Sequence, residues 1–262
     1  MNPHNPTQSH SPTAVVLVGG IDPGTGAGVA RDLLTATALG SRGVVVGTAW
    51  TEQGPQSSRT IEPRAPECVR AALASALTRV GATQSAVKIG MVATAPIAQA
   101  IATGLSTSPI PVVYDPVLRA SSSDSLYEGD RSSVLALARK VTLLTPNLSE
   151  AAWLLDRPVH GESEARAAAR DLRDLGIAAV LVKGGHLEGD ATDVLVSPAG
   201  ESIYSSPRIP GPSPRGTGCA LATAVAVGLA RGEPIERAVA KAKTWLTAHI
   251  ARARDVGGEW HL

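Results

Sequence analysis

The residues best placed to do chemistry cluster in Pro214-Arg215-Gly216-Thr217-Gly218-Cys219-Ala220, followed by an apolar run from Leu221 to Ala230. Gly216 and Gly218 allow a tight turn in which backbone N–H groups converge. The run behind them reads as a helix that is apolar nearly all round and therefore buried. A glycine turn opening such a helix is an anion hole: its first N–H groups have no partner inside the helix, and the dipole favours negative charge there. Cys219 falls at the helix start, where a thiol pKa tends to drop. The plainer reading is a padded turn before a core helix, with Cys219 as a small hydrophobe.

Other polar residues recur at the ends of apolar runs. Pro111 to Val117 reads as a buried strand closing on Asp115, and open parallel sheets gather ligands at the carboxyl ends of their strands. An Asx turn before Pro116 is the structural alternative. Asn147 and Glu150, three apart after the run Val141 to Leu144, suit Mg²⁺ water ligation or phosphate positioning. The same spacing makes a capping box. Lys183 follows the run Ala179 to Val182 and precedes Gly184-Gly185, as a phosphate ligand or a solvated turn lysine. Asp22, in the glycine loop after the first strand, accepts from a ligand or caps its turn.

These side chains need a frame. Short β-branched runs begin at Ala14, Val44, Ala86, Pro111, Val141 and Ala179, and helical patterns fall between them. Helices are expected over Val29 to Leu39, Pro66 to Val80 with Cys68 in the core, from Pro96, through Leu155, over Glu164 to Leu175 with Ser163 as N-cap, and over Ile235 to Ala251. A hairpin is expected over Ala191 to Tyr204. The alternation predicts one α/β unit over 13–262, a doubly wound, mostly parallel sheet flanked by helices. The polar stretch 1–12 reads as a disordered tail.

Composition removes several function classes. The 262 residues carry a net charge of +1 without a basic run, so nucleic acid is not an expected partner. No apolar run reaches the roughly 18–20 residues of a membrane span. Two distant cysteines, Cys68 and Cys219, make neither a disulfide framework nor a zinc site, and the cytoplasm is the expected compartment. Gly24, Gly26 and Gly28 have the wrong spacing for a dinucleotide fingerprint, and there is neither a Walker-type phosphate loop nor a nucleophile elbow. Strand ends offering acids, a lysine and an anion hole suit phosphoryl transfer, which needs positioning and charge neutralisation more than covalent chemistry.

Taken in order, the motifs resemble the ribokinase-like superfamily, and within it the hydroxymethylpyrimidine/phosphomethylpyrimidine kinases of thiamine biosynthesis. They are Gly20-Ile21-Asp22-Pro23 through Gly28; Thr48-Ala49 with Gln53; Lys88-Ile89-Gly90-Met91; Asp115-Pro116-Val117; Thr145 through Ala151; Lys183 through His186; and Gly216-Thr217-Gly218-Cys219. The resemblance spans Val16 to about Ala248. It implies a ribokinase-like α/β/α sandwich, ATP and Mg²⁺, and a homodimer. Gly216, Thr217, Gly218 and Cys219 would form the anion hole, with Cys219 beside the substrate hydroxyl as a candidate base. Asp115, Asn147 and Glu150 would organise Mg²⁺, its waters and the ATP phosphates, and Lys183 would meet phosphate. Gln53 would bond the aminopyrimidine, with Gly20, Asp22 and Met91 lining its pocket. The implied reaction is ATP-dependent phosphorylation of 4-amino-5-hydroxymethyl-2-methylpyrimidine and its monophosphate. A pyridoxal kinase, or a pyrimidine-binding protein without turnover, are the alternatives on the same fold.

The chain departs from that pattern in places. Arg215 stands where the family usually has histidine, adding a permanent bidentate phosphate donor, and Ala220 replaces threonine or serine. The segment after Gln53 is short, the serine-rich stretch after Val117 differs, and the glycine-histidine segment expected near the C-terminus is missing.

Overall fold

A computed structural model describes residues 13–23, 26–52, 60–106, 108–119, 125–185, 189–211, 214–256 and 259–261. Gln53, the stretch 1–12 and residues 120–124 of the serine-rich segment lie outside these.

A nine-stranded sheet forms the centre, in the order β3-β2-β1-β4-β5-β6-β7-β8-β9. The strands are β1 (Ala14–Ile21), β2 (Arg42–Glu52), β3 (Thr60–Pro63), β4 (Ser85–Ile89), β5 (Val112–Tyr114), β6 (Leu143–Leu144), β7 (Val180–Gly184), β8 (Ala191–Ser197) and β9 (Gly200–Ser206). The pairs from β2 through β1, β4, β5 and β6 to β7 are parallel; β3, β8 and β9 pair antiparallel to their neighbours. Strands β1 and β4 to β7 are almost wholly buried on both faces, which is why they read as largely apolar runs, whereas β2 leaves Val45 and Trp50 exposed. The hairpin stands at the edge, as expected.

Helices cover both faces. On one lie α1 (Gly28–Ala38), α7 (Thr217–Ala230) and α8 (Ile235–Ile250), packed on Val15, Leu17, Ala86, Val113, Leu143 and Leu181. On the other lie α2 (Pro66–Val80), α3 (Ala95–Leu105), α4 (Arg131–Ala138), α5 (Leu148–Leu155) and α6 (Gly161–Asp174). Helix α7 packs against α1, α8, β4 and β5, so every residue from Cys219 to Ala230 is buried. Its all-apolar sequence follows from that central place.

The path of the chain fixes where a crevice opens. From β1 it winds to β2 and β3 on one side, then returns to β4 on the other. The switch point therefore lies between the carboxyl ends of β1 and β4.

Some expectations are corrected. Cys68 is exposed, because α2 turns only Val69, Leu73 and Ala76 fully inward. Helix α6 starts at Gly161 and not after Ser163. His160 is the N-cap without a side-chain bond, and its backbone N–H is taken by the Glu164 carboxylate. Helix α4, capped by Asp130 accepting from Ser133 N–H at 2.8 Å, went unread beside the serine-rich segment. The end of the chain pairs as a small hairpin of β10 (Arg254–Val256) and β11 (Glu259–His261).

Candidate active site

Side chains on a strand alternate between faces with a period of two. Ala86, Val113, Leu143 and Leu181 face α7, so Lys88, Asp115, Thr145 and Lys183, each two residues later, face it too. The strand ends thus deliver two ammonium groups, a carboxylate and a hydroxyl to the region under the glycine turn that opens α7.

The contacts bear this out. Lys183 Nζ makes an ion pair with Asp115 Oδ1, and both side chains are largely buried. Thr145 Oγ1 lies 3.4 Å from the same carboxylate oxygen. A Cβ built on Gly218 would sit 3.2 Å from Lys183 Nζ and 3.7 Å from Asp115 Oδ2. The glycine turn and the charged pair therefore converge on one spot. Burial favours neutral Lys183, but the carboxylates of Asp115 and Glu150 outweigh it and hold the ammonium above its usual range.

Gly216 is the N-cap of α7 at φ +73°, a left-handed conformation that suits glycine. A Cβ there would come 2.6 Å from the Gly26 carbonyl oxygen and 3.0 Å from Arg31 Cγ, so this turn is seated on the first glycine loop. Thr217 opens the helix, and Cys219 follows within its first turn. The structure corrects the expected thiol: burial pushes Cys219 up to about 11, against the smaller opposing pull of Lys88 and Lys183. The helix-start effect loses because the sulfur is almost fully out of water.

Asn147 and Glu150 make the capping box. Asn147 Oδ1 accepts from Glu150 N–H at 2.9 Å, and Glu150 Oε2 accepts from Asn147 N–H at 2.7 Å. The structural alternative is therefore present, and it does not withdraw Glu150 from the site. The carboxyl is buried and within electrostatic reach of Lys183 and Asp115. Burial raises it, Lys183 lowers it and Asp115 raises it, leaving it at about 7. Asn147 is tied to the end of β7 by Lys183 N–H donating to the Pro146 carbonyl at 2.8 Å and by a bridge to Lys183.

The expected substrate side lies at the switch point. A Cβ on Gly20 would meet Met91 Sδ at 2.9 Å and Thr51 Cγ2 at 3.7 Å. Thr48 Oγ1 donates to the Met91 carbonyl at 2.7 Å, fixing the turn after β4. Asp22 is buried, and Arg215 Nη2 stands 3.9 Å from its Oδ2. Gly20, Met91, Asp22 and Arg215 thus line the ends of β1 and β4 beside the turn of α7; Gln53 falls outside the described residues.

Comparison with known proteins decides the family. The phosphomethylpyrimidine kinase family model matches residues 22–261. A hydroxymethylpyrimidine/phosphomethylpyrimidine kinase of Streptomyces coelicolor is 38% identical over 258 residues, covering 97% of this chain and 94% of that protein. The chain belongs to the phosphomethylpyrimidine kinase family. A thiamine biosynthesis bifunctional protein of Geobacter sulfurreducens is also 38% identical, over 93% of this chain and 50% of its own length. Among solved structures, a Clostridium difficile phosphomethylpyrimidine kinase matches at a TM-score of 0.78 and 28% identity, over 91% of this chain and 99% of that one. A Bacillus subtilis pyridoxal kinase, solved as an ADP complex, matches at 0.85 and 27%, over 96% and 97%. The kinase is thus a thiamine-pathway phosphotransferase of ribokinase-like fold with ATP as phosphate donor. Among the described residues no helix is long and apolar enough to cross a membrane.

Two groups near the kinase's glycine turn were given no role by the sequence, although Lys88 stands in the Lys88-Ile89-Gly90-Met91 motif. Arg31 of α1 is buried under Gly216, within electrostatic reach of Cys219. Lys88 of β4, wholly buried, donates to both oxygens of Asp32 at 2.9 and 2.7 Å. The one local signal was a lysine inside the otherwise apolar Ala86-Val87-Lys88-Ile89, and its partner lies 56 residues away on another element.

Proposed function

We propose that the chain phosphorylates 4-amino-5-hydroxymethyl-2-methylpyrimidine and its monophosphate, with the acceptor held at the β1/β4 switch point and the ATP phosphates over the strand ends. The observation that carries this assignment of sites is the approach of Gly218 to both Lys183 and Asp115. It puts free helix N–H groups, an ammonium and a carboxylate around one point, the set a transferring phosphoryl group requires.

In this reading the N–H groups from Gly216 to Cys219 cradle the phosphoryl group, and Lys183 neutralises its charge. Gly218 has no side chain so that the phosphate can approach the backbone. Cys219 lies beside the acceptor hydroxyl as a neutral thiol, since at about 11 it holds its proton at physiological pH. Gly20, Asp22 and Met91 enclose the pyrimidine with Gln53, and Asn147 supports the nucleotide phosphates. The donor chemistry fits Mg²⁺: Asp115 and Glu150 offer hard oxygens, and the described residues hold no cluster of three or more ligating side chains. Mg²⁺ is commonly held by one or two carboxylates with waters and substrate phosphates. When bound, the ion would neutralise phosphate charge. We further take 13–262 as one kinase unit, working as a cytoplasmic homodimer.

Purified protein with MgATP, assayed against the pyrimidine, its monophosphate and pyridoxal, tests the reading by ADP release and product mass. Diphosphate formed from the monophosphate is expected. Turnover of pyridoxal alone, the reaction named for the Bacillus subtilis neighbour, would reassign the substrate.

Arg215 bears on which step is preferred. The second phosphorylation brings an acceptor that is already anionic, so a fixed cation next to the glycine turn favours it. Arg215→His should lower kcat/KM for the monophosphate relative to the unphosphorylated pyrimidine by about tenfold, the loss of one charge-assisted hydrogen bond. An unchanged ratio would remove Arg215 from the specificity account.

A further inference from the structure

One buried polar cluster has no part in that reaction scheme. Lys88 and Asp32 are fully buried, and Thr223 Oγ1 donates to Asp32 Oδ1 at 2.9 Å. The Asp32 carboxylate thus accepts three hydrogen bonds, two from Lys88 and one from Thr223. It joins β4, α1 and α7, the three elements on which the glycine turn rests.

We infer that Lys88, held by Asp32 and Thr223, is a positioning residue for phosphoryl transfer, fixing the first turn of α7 from below and keeping a permanent cation beneath the anion hole. The inference rests on the reading of that turn as the phosphoryl site.

Register supports it. Lys88 pairs with Val113, two residues before Asp115 on the same strand and the same face. The ammonium therefore starts one pleat, roughly 6–7 Å, below the Asp115 level. From there it reaches toward the strand end: a Cβ on Gly90 would sit 2.9 Å from Lys88 Nζ. Thr223 lies four residues after Cys219, so the two share a face of α7 one turn apart. Lys88 is within electrostatic reach of Cys219 and Asp115.

Stability is a weak reason for such a pair. Burying an ion pair costs desolvation that its attraction hardly repays, and apolar side chains of similar volume serve a core as well or better. The neighbouring core residues Leu17, Ala36, Ala86 and Val113 are all apolar. What an ion pair adds here is a charge that does not move. Donors and charges fixed in advance need no reorganisation as negative charge develops on the transferring group.

Two variants test this. Thr223→Val cuts only the tie between Asp32 and α7. The double variant Lys88→Met/Asp32→Leu replaces the pair with apolar volume and leaves no orphaned charge. Each is measured for kcat and KM, for melting temperature, and by calorimetry for ADP alone and for ADP with magnesium and aluminium fluoride, a mimic of the transferring group. The double variant should lose about 30-fold or more in kcat, with KM for ATP and ADP affinity within about twofold, and bind the fluoroaluminate complex at least about tenfold more weakly. Thr223→Val should show the same pattern at about three- to tenfold. A folded double variant with wild-type kcat and fluoroaluminate affinity would overturn the inference, as would losses that follow melting temperature and KM alone. Should the double variant not fold, Thr223→Val decides on the same criteria. Wild-type protein inactive on every pyrimidine would sink the substrate assignment instead, and the fluoroaluminate comparison would still decide the role of Lys88.

Discussion

Cys219 shows how two local rules compete at one residue. Its place in the first turn of α7 draws the thiol pKa down, while burial pushes it up, and burial wins at about 11. At pH 7 about one molecule in ten thousand would carry the thiolate. Phosphoryl transfer through a loose transition state asks little of a base, so the neutral thiol is compatible with turnover. Cys219→Ser is expected to keep kcat within about tenfold of wild type, and the wild-type profile of kcat against pH should show no ascending limb from a thiol between pH 7 and 9. A general base contributes about 10² to 10⁴. A loss of that size, together with such a limb that vanishes in the variant, would restore the base. Of the charged residues of the proposed site, Asp115, Glu150 and Lys183 could be singled out from sequence because each ends a strand or opens a helix. Lys88 and Asp32 could not, because a buried pair 56 residues apart exists only once the sheet and α1 are assembled.

Among the elements, α7 ties sequence most directly to site. Its apolar run announced burial, and its two glycines announced a turn, yet they do different work. Gly216 is strained for any other residue, at φ +73° with the Gly26 carbonyl against it. Gly218 lies inside the helix, where alanine is intrinsically better by roughly 0.5–1 kcal/mol, and its missing side chain leaves room beside Lys183. The two alanine variants should therefore diverge. Gly216→Ala should lower the melting temperature, at a cost of roughly 1–2 kcal/mol for the left-handed conformation. Gly218→Ala should leave the melting temperature unchanged or higher while cutting kcat by about 10² or more, as the new methyl intrudes on the phosphoryl position. Equal melting behaviour with equal activity would argue against the placement of the phosphate. Helix α2 was readable to its ends because Pro66 starts it and Gly81, at φ +70°, stops it. Helix α4 has only eight residues, two of them serine, and its packing supplies what its sequence lacks.

At the scale of the molecule, the site's charges make stability depend on pH. Glu150 titrates near 7 in the ligand-free fold against an ordinary value of 4.5. The folded state thus binds the proton more tightly than the unfolded chain. The contribution to stability is fully present below about pH 4.5 and is lost as pH rises through about 7, up to an order of 3 kcal/mol. The melting temperature of the ligand-free protein should fall between pH 5 and 8, and Glu150→Gln, which cannot titrate, should flatten that fall. On the proposed site, Mg²⁺ with nucleotide would reverse the preference, because a carboxylate is then needed where a carboxylic acid was. Close to one proton should be released per nucleotide at pH 6, fewer at pH 8, and correspondingly fewer in Glu150→Gln. Calorimetric titration in two buffers of different ionisation enthalpy reads that number directly. Proton uptake, or a release that Glu150→Gln does not change, would show that Glu150 remains a helix cap and leave Asp115 to meet the ion alone. The capping box is the reason the test discriminates: the same buried carboxyl that closes α5 is, on the proposed site, the group expected to lose its proton when nucleotide binds.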